Sequence, residues 1–592
     1  MTDRKQLAIK DRILKYAMDL WGVTDVRNMD PVVDLLLDVF AYESNKLHEE
    51  LDLSDSRLLH RLSRILVDAK WTLPTPAHAL MTISPNHGEK CELSVEDHFY
   101  AEKSIFGKED IQIFFTPLFS AQLIDAQVHS MAYHDRLCVV SEHLAAPSQF
   151  LSPETRIADY SVWVGIDIPE NLLDTLDSIV LCIIPADMSI LPFLQMAYFY
   201  DSCGNKLEIQ HGLNVEDSLK NTHYFNNIRD FYTDFYFTVY LSDTCKKKKT
   251  YSQMFPKAAF ENIDIDVKKS LYWLRIDFPE VFTRKDFDEL QIHINTFPVV
   301  NRQLIYKQHK FLSTGRIIPL TCPNSTHFLN VCSMQDDKGR EYINRLNQYD
   351  ERPTGVFSLY FGDLERFDSS NASSLITKVL QLIKEDGNAF AAMNPDILSK
   401  QLADLLAKLD TIEKGLNATL MEDNKVNAFV LSVPREDAVH AELKYWVTLA
   451  ALANGLDERT PIQQFNMEKY DAGGITLCTR TQGGLTHDSE QDLTRSLRYG
   501  LLSRERIVSK EDVKNYILHK MGDSIKAIDI RNGVAISPDK KRGLVRTTEI
   551  RITLDNVNRD NNISALPELA HYLERDLAER AVCNSTYKII FV

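Results

Sequence analysis

TRTQGGLTHDSEQDLTRS, residues 479–496, sets a Gly-Gly pair shortly ahead of an amphipathic run. Glycine turns that open helices are where nucleotide-binding folds cradle phosphate on bare amides. The stretch therefore decides between a phosphate-binding architecture and a plain turn in a mixed fold. The acids settle it. The first turn after Gly483 and Gly484 carries Asp488, Glu490 and Asp492, which suit the positive end of a helix dipole and repel a phosphate. No lysine follows the glycines where a nucleotide loop requires one. The pair reads as the turn that lets a strand over 474–480 reverse into a helix over 488–502.

Working outward, the carboxy-terminal stretch alternates. A helix over 509–521, strands over 524–536 and 546–555, a helix over 565–581 and a closing strand over 586–592 make an α+β domain at 471–592. Upstream, 332–470 reads as a mixed region, with helices over 373–384, 395–421 and 434–453 and a strand over 427–433; the second helix is long enough to form an arm. From 77 to 331 β-branched and aromatic residues dominate in period-two runs, with strands over 111–119, 121–133, 161–168, 179–184, 235–241 and 271–278. The first 76 residues read as helical. Asp30-Pro31 is a helix start, since Asp caps free amides and Pro suits the first position. Val33, Leu36, Phe40, Leu47 and Leu51 then recur as one apolar stripe, and a second helix carries Leu58, Leu62 and Ile65. The expected fold is α+β and multidomain: a helical segment, a large β-rich middle region, a helical arm and an α+β end.

Composition bounds the function. At 592 residues the chain is too long for one core, and about 150 residues per domain gives roughly three to five domains. Hydrophobic residues at 44% and charged ones at 26% are those of an ordinary globular protein. The net charge of −17 argues against a life on nucleic acid or an anionic membrane face. Lysine is dense only at Lys246–Lys249, which reads as a solvated hairpin tip or loop. Nine cysteines stand singly with no C-x-x-C pair, as expected of reduced thiols in the cytosol. Pro185, Asp187 and Pro192 break the most apolar stretch, 178–200, so no segment is expected to span or insert into a membrane.

No motif for nucleotide, metal or nucleophilic chemistry is present. His129 and His134 lie five apart in a strand-like run and would face opposite sides of it. His48-Glu49-Glu50 has no second histidine four residues on. No catalytic, cofactor-binding or metal-ligating residue is nominated.

Three stretches carry a resemblance. GGLTHDSEQDLTRSLRYGLLSRERIVSKEDVKNYILHKMGDSIKAIDI resembles baseplate wedge proteins of contractile phage tails, with a Gly-Gly turn, an acidic helix start, an Arg-rich step, a second helix and a strand. LQIHINTFPVVNRQL (290–304) and the amino-terminal 30–85 resemble TssF, the wedge subunit of the type VI secretion baseplate; the closing RTTEIRITLDN is also of that type. They are collinear with that family. Asp68-Ala-Lys-Trp stands where the family usually has Tyr-Pro-His-Tyr, marking a divergent branch.

The resemblance implies a non-enzymatic scaffold without cofactors. Family members pair as two copies with one TssG, meet the TssK adaptor, and through TssE and the hub support the sheath and spike. A cytoplasmic place, in a baseplate docked at the inner membrane complex, follows from it. The stripes Val33, Leu36, Phe40, Leu47 and Leu51, and Leu58, Leu62 and Ile65, are the expected partner interface. The alternatives are a wedge protein of a phage or tailocin, or a cytosolic enzyme whose residues assemble from distant positions.

Overall fold

Strand-forming residues in period two need a second layer to cover their apolar side, and the chain supplies several. A computed structural model describes Phe40 and residues 73–592, apart from 87–90, 105–110, 142–143, 146–148, 151–156, 214, 216–221, 243–245, 257–267, 312–314, 324, 346–353, 362–427, 459, 487–489, 504–505, 537–542, 555–565 and 582–585. The chain divides into two compact units: 1–72 with 487–523, and 73–486 with 524–592.

The larger unit is β-rich. One sheet runs in the order Gln463–Gln464, Phe99–Lys103, Ile111–Pro117, Thr296–Asn301, His78–Pro85, Tyr470–Leu477. Another has Ser161–Asp167 between Gln127–Tyr133 and Ser270–Asp277, with Tyr198–Asp201 beyond. A third places Ser178–Ile184 between Tyr236–Tyr240 and Gln291–His293. Val162, Val164 and Ile166 from the second sheet and Ile179, Leu181 and Ile183 from the third are buried in one shared cluster. Alternation along both strands thus builds one core, at about 25 cal/mol for each Å² of apolar surface removed from water.

Two further sheets make a second core. His440–Thr448 lies between Gln303–Lys310 and His327–Asp336, and Leu443, Tyr445 and Val447 pack with Ile318, Leu320 and Val430 of the Ile317–Leu320 and Ala428–Val433 strands. The helix expected over 434–453 is therefore a central strand followed by a short 3-10 turn at Ala450–Ala453. The residues explain the difference. HAELKYWVT alternates, buries Ala441, Leu443 and Tyr445, and gains ladder hydrogen bonds on both edges, which outweigh the helix propensity of Ala, Glu, Leu and Lys.

Other expectations hold to within a few residues, including the strands Ile111–Pro117, Tyr236–Tyr240 and Ser270–Asp277 and the helices Glu490–Ser503, Lys510–Met521 and Leu566–Arg580. The strand expected over 121–133 is two, Ala121–Leu123 and Gln127–Tyr133. The helix Phe225–Thr233 was not foreseen. Its aromatic content resembles a strand, but Phe225, Ile228, Phe231 and Tyr232 are buried at helical spacing. The helical expectations at 373–384 and 395–421 lie outside the described residues. The cysteines differ too: Cys203 is disulfide-bonded, while Cys91, Cys138, Cys182, Cys322, Cys332 and Cys478 are free thiols. Single, widely spaced cysteines hide a pairing that only the fold brings about.

One dipeptide ties the layers of the larger unit together. Asn301 Nδ2 donates to the Phe114 carbonyl at 2.8 Å, and Asn301 Oδ1 accepts from Thr448 Oγ1 at 2.8 Å and from the Leu449 backbone amide at 2.9 Å. Next to it the buried Arg302 donates from Nε to Thr116 Oγ1 at 2.5 Å, from one terminal nitrogen to Tyr224 Oη at 3.0 Å, and from the other to the Pro117 carbonyl at 2.6 Å. Its guanidinium lies 4.4 Å over the Trp446 ring, against whose other neighbour, His98, the ring stacks at 5.8 Å.

The helix Leu566–Arg580 packs on Thr586–Phe591 and reaches the first core, with Arg575 donating to Asp234 at 2.9 Å and lying over Phe231 and Phe235. The Glu579 side chain is 30% exposed, and the partial loss of water around it pushes its carboxyl up to about 7; Arg575 opposes that shift, while Asp576 and Asp230 add to it.

Two outcomes are expected. Asn301→Ala leaves the Phe114 carbonyl and the Leu449 amide unpaired inside the protein and costs about 2–3 kcal/mol, measured as the shift in denaturant midpoint. Glu579 binds its proton more tightly folded than unfolded, so its favourable contribution is complete below the unfolded value near 4.5 and disappears as pH rises through about 7. Because water reaches the side chain, the effect is small: Glu579→Gln should raise the melting temperature slightly at pH 8 and leave it unchanged at pH 4.

Candidate assembly surface

The Gly-Gly turn that opens the sequence question is occupied by protein. Gly483 has φ +83°, open to glycine without strain, and a Cβ there would strike the His78 ring. A Cβ on Gly484 would run into the carbonyl oxygen of Ala450. The Gly484 amide donates to Asn454 Oδ1 at 2.8 Å, and Asn454 Nδ2 donates back to the Gly484 carbonyl at 2.7 Å. Thr75 Oγ1 donates to the Gly483 carbonyl at 3.1 Å. The Gly484 amide, one that a phosphate would need, is spent on a side chain, and the backbone passes too close to its neighbour for a ligand to enter.

The histidines are dispersed. His129 lies within 3.0 Å of Tyr251 Oη, and His134 sits on a turn at φ 50°, 3.7 Å from Asp159. The fold does not gather them, and among the described residues no group of three His, Cys, Asp or Glu side chains could hold a metal ion.

A Cys–His pair that sequence spacing gives no means of finding lies inside the larger unit. Burial works to raise the Cys478 thiol, yet the charge and hydrogen bonding of His293, with Thr82 Oγ1 at 3.0 Å, outweigh it and hold the thiol below its ordinary value. His293 is raised in turn, burial being overcome by Cys478. An activated nucleophile uses this pairing, but Cys478 is 4% exposed and its sulfur is hydrogen-bonded within the protein. The pair acts as a packed polar contact between strands.

The smaller unit leaves several large apolar groups exposed. The helices Glu490–Ser503 and Lys510–Met521 pack through Leu497, Val513, Tyr516 and Ile517, and the Tyr499 ring stacks on His519 at 5.1 Å. Ser496 Oγ is 3.0 Å from His519 Nδ1. Ser509 caps the second helix: its hydroxyl accepts from the Asp512 amide, and the Asp512 carboxylate accepts from the Ser509 amide. At the end of the first helix Leu501 is 43% and Leu502 62% exposed, and in the connection beyond it Ile507 is buried while Val508 is 76% exposed. Adjacent large apolar groups left this open mark interaction surfaces.

Of the partner residues expected from sequence, Phe40 lies among the described ones: it is helical and 71% exposed. Val33, Leu36, Leu47, Leu51, Leu58, Leu62 and Ile65 lie outside them. The leucines at 501 and 502 and Val508 were passed over in sequence, although they belong to the stretch that carries the phage-baseplate resemblance. No helix among the described residues is long and apolar enough to cross a membrane.

No family model matches the sequence, and no curated protein matches it. Among solved structures, the chain is similar to one in a type VI secretion system TssK-TssF-TssG baseplate subcomplex, at 11% identity and TM-score 0.42, over 95% of this chain and 96% of that one. It is also similar to a chain in the baseplate complex from the type VI secretion system, at 12% identity and TM-score 0.37, over 100% of this chain and 97% of that one.

Proposed function

We propose that this chain is a structural wedge subunit of a type VI secretion baseplate, of the TssF kind, that does its work by holding partners rather than by making or breaking covalent bonds. The reading rests on three stretches, 30–85, 290–304 and 483–530, that resemble that family and its phage counterparts in the family's order. The structural observation that supports it is the set of open apolar side chains Phe40, Leu501, Leu502 and Val508 in the smaller unit. Water contact at such residues is removed by a second protein surface.

In this reading the smaller unit packs against a second copy and a TssG-like partner, and the TssK adaptor, TssE, the sheath and the spike hub are met through the assembled platform. The protein stays in the cytoplasm, held at the inner membrane by the rest of the machine. Firing of the sheath shifts packed surfaces as rigid bodies. The 290–304 stretch has an internal duty: Asn301 and Arg302 lock layers together, so its likeness to the family is one of architecture.

Co-expression with the neighbouring genes followed by affinity capture tests the proposal. The double change Leu502→Asp with Val508→Asp should cut recovery of the complex about tenfold or more while leaving the melting temperature within a degree or so, because both side chains are already in water. Leu36→Asp with Phe40→Asp should do the same if the amino-terminal stripe takes part. Full recovery of a complex of unchanged mass from both variants would falsify assembly through this unit.

A further inference from the structure

The helix Leu566–Arg580 is held from two sides within the larger unit. On one side it packs on the strand Thr586–Phe591, and Glu574 Oε1 accepts from the Ile589 amide at 2.5 Å. On the other it meets the first core. Tyr572 packs against that cluster, its ring 5.3 Å from Phe231 and 5.9 Å from His78, and Arg575 donates to Asp234 at 2.9 Å. A histidine lies in this join, the side chain whose charge ordinarily changes near neutral pH. His571 Nδ1 is 3.2 Å from Glu574 Oε2, and His571 Nε2 is 3.9 Å from Asp187 Oδ1, just beyond the core strand Ser178–Ile184. Glu574 thus serves the strand with one oxygen and the histidine with the other.

We infer that this row, Ile589 to Glu574 to His571 to Asp187, is a pH-sensitive clasp: with His571 protonated it seats the helix and the strand behind it firmly on the first core, and when the proton leaves the seat loosens. An imidazolium donates from both nitrogens and attracts a carboxylate of its own helix and one of the core side; the neutral ring keeps one donor and loses both attractions. The surrounding cations are committed elsewhere. Arg575 pairs with Asp234 and Glu579, Arg580 with Asp576, and Arg229 with Asp230. Lys588 points to the face of its strand opposite Ile589, and Met188–Ile190, beside the helix, carries no titratable group.

The Glu574 hydrogen bond raises His571 above its ordinary value near 6.5; burial opposes the shift, and the charges of Glu574 and Asp187 add to it. The contribution of the clasp is therefore complete below about 6.5 and is lost as pH rises through the raised value. Glu579, on the same helix, runs in the same direction, its share disappearing as pH rises through about 7. None of these groups belongs to the exposed apolar set of the smaller unit, so the clasp and the assembly reading stand or fall separately.

The test is amide hydrogen exchange of the full chain, read by mass spectrometry from pH 6 to pH 8 and corrected for intrinsic rates. Protection of 566–580 and 586–591 should fall about threefold across that range, while that of the core strand Ser161–Asp167 holds. His571→Gln should bring protection at pH 6 down to the pH 8 level. Asp187→Asn changes a side chain that is 53% exposed, so the fold is kept, and should move the midpoint of the loss to lower pH. Glu579→Gln should keep most of the loss, since water reaches that side chain. Equal protection of the helix at both pH values, a loss of the same size and midpoint in His571→Gln or Asp187→Asn, or its disappearance in Glu579→Gln overturns the inference.

Discussion

The larger unit depends on a buried guanidinium that is bonded to neutral oxygens. Placing an arginine inside a protein is costly unless its donors are met, and each of the three Arg302 nitrogens donates to a neutral oxygen, a hydroxyl, a phenol or a carbonyl, with an indole face beneath. Its partners come from three pieces of chain: the Ile111–Pro117 strand supplies the hydroxyl and the carbonyl, the residue before the Phe225–Thr233 helix the phenol, and the central strand of the second core the indole face. The charge can be buried only if all of them arrive together. Asn301 makes the same demand one residue earlier, on Phe114, Thr448 and Leu449. The dipeptide thus couples two cores that hydrophobic packing alone would leave free to slide.

The same contrast between inside and outside governs where chemistry could occur. The groups with catalytic potential, Cys478 with His293, are held between strands and satisfied there. Among the groups left in water are leucines, a valine and a phenylalanine in the smaller unit.

Much of the architecture was legible because period two is a strong signal where both layers are made of β-branched and aromatic residues. The turn at Gly483–Gly484 could be read correctly because the acids that follow exclude phosphate on electrostatic grounds alone. The strand at His440–Thr448 was misread because Ala, Glu, Leu and Lys favour helix locally, and only the strands on either side reverse that preference. The helix at Phe225–Thr233 was missed for the converse reason, as its aromatic residues look like a strand until their spacing is weighed. The Cys478–His293 contact joins residues far apart in sequence and has no local signature.

The bridge between Thr75 and Leu485 has a mechanical consequence. The two residues exchange both backbone hydrogen bonds, at 3.0 Å each. The stretch 73–486 of the larger unit thus starts and finishes at one rung. Its ends are pinned to each other, which closes that stretch into a loop and keeps both ends from fraying.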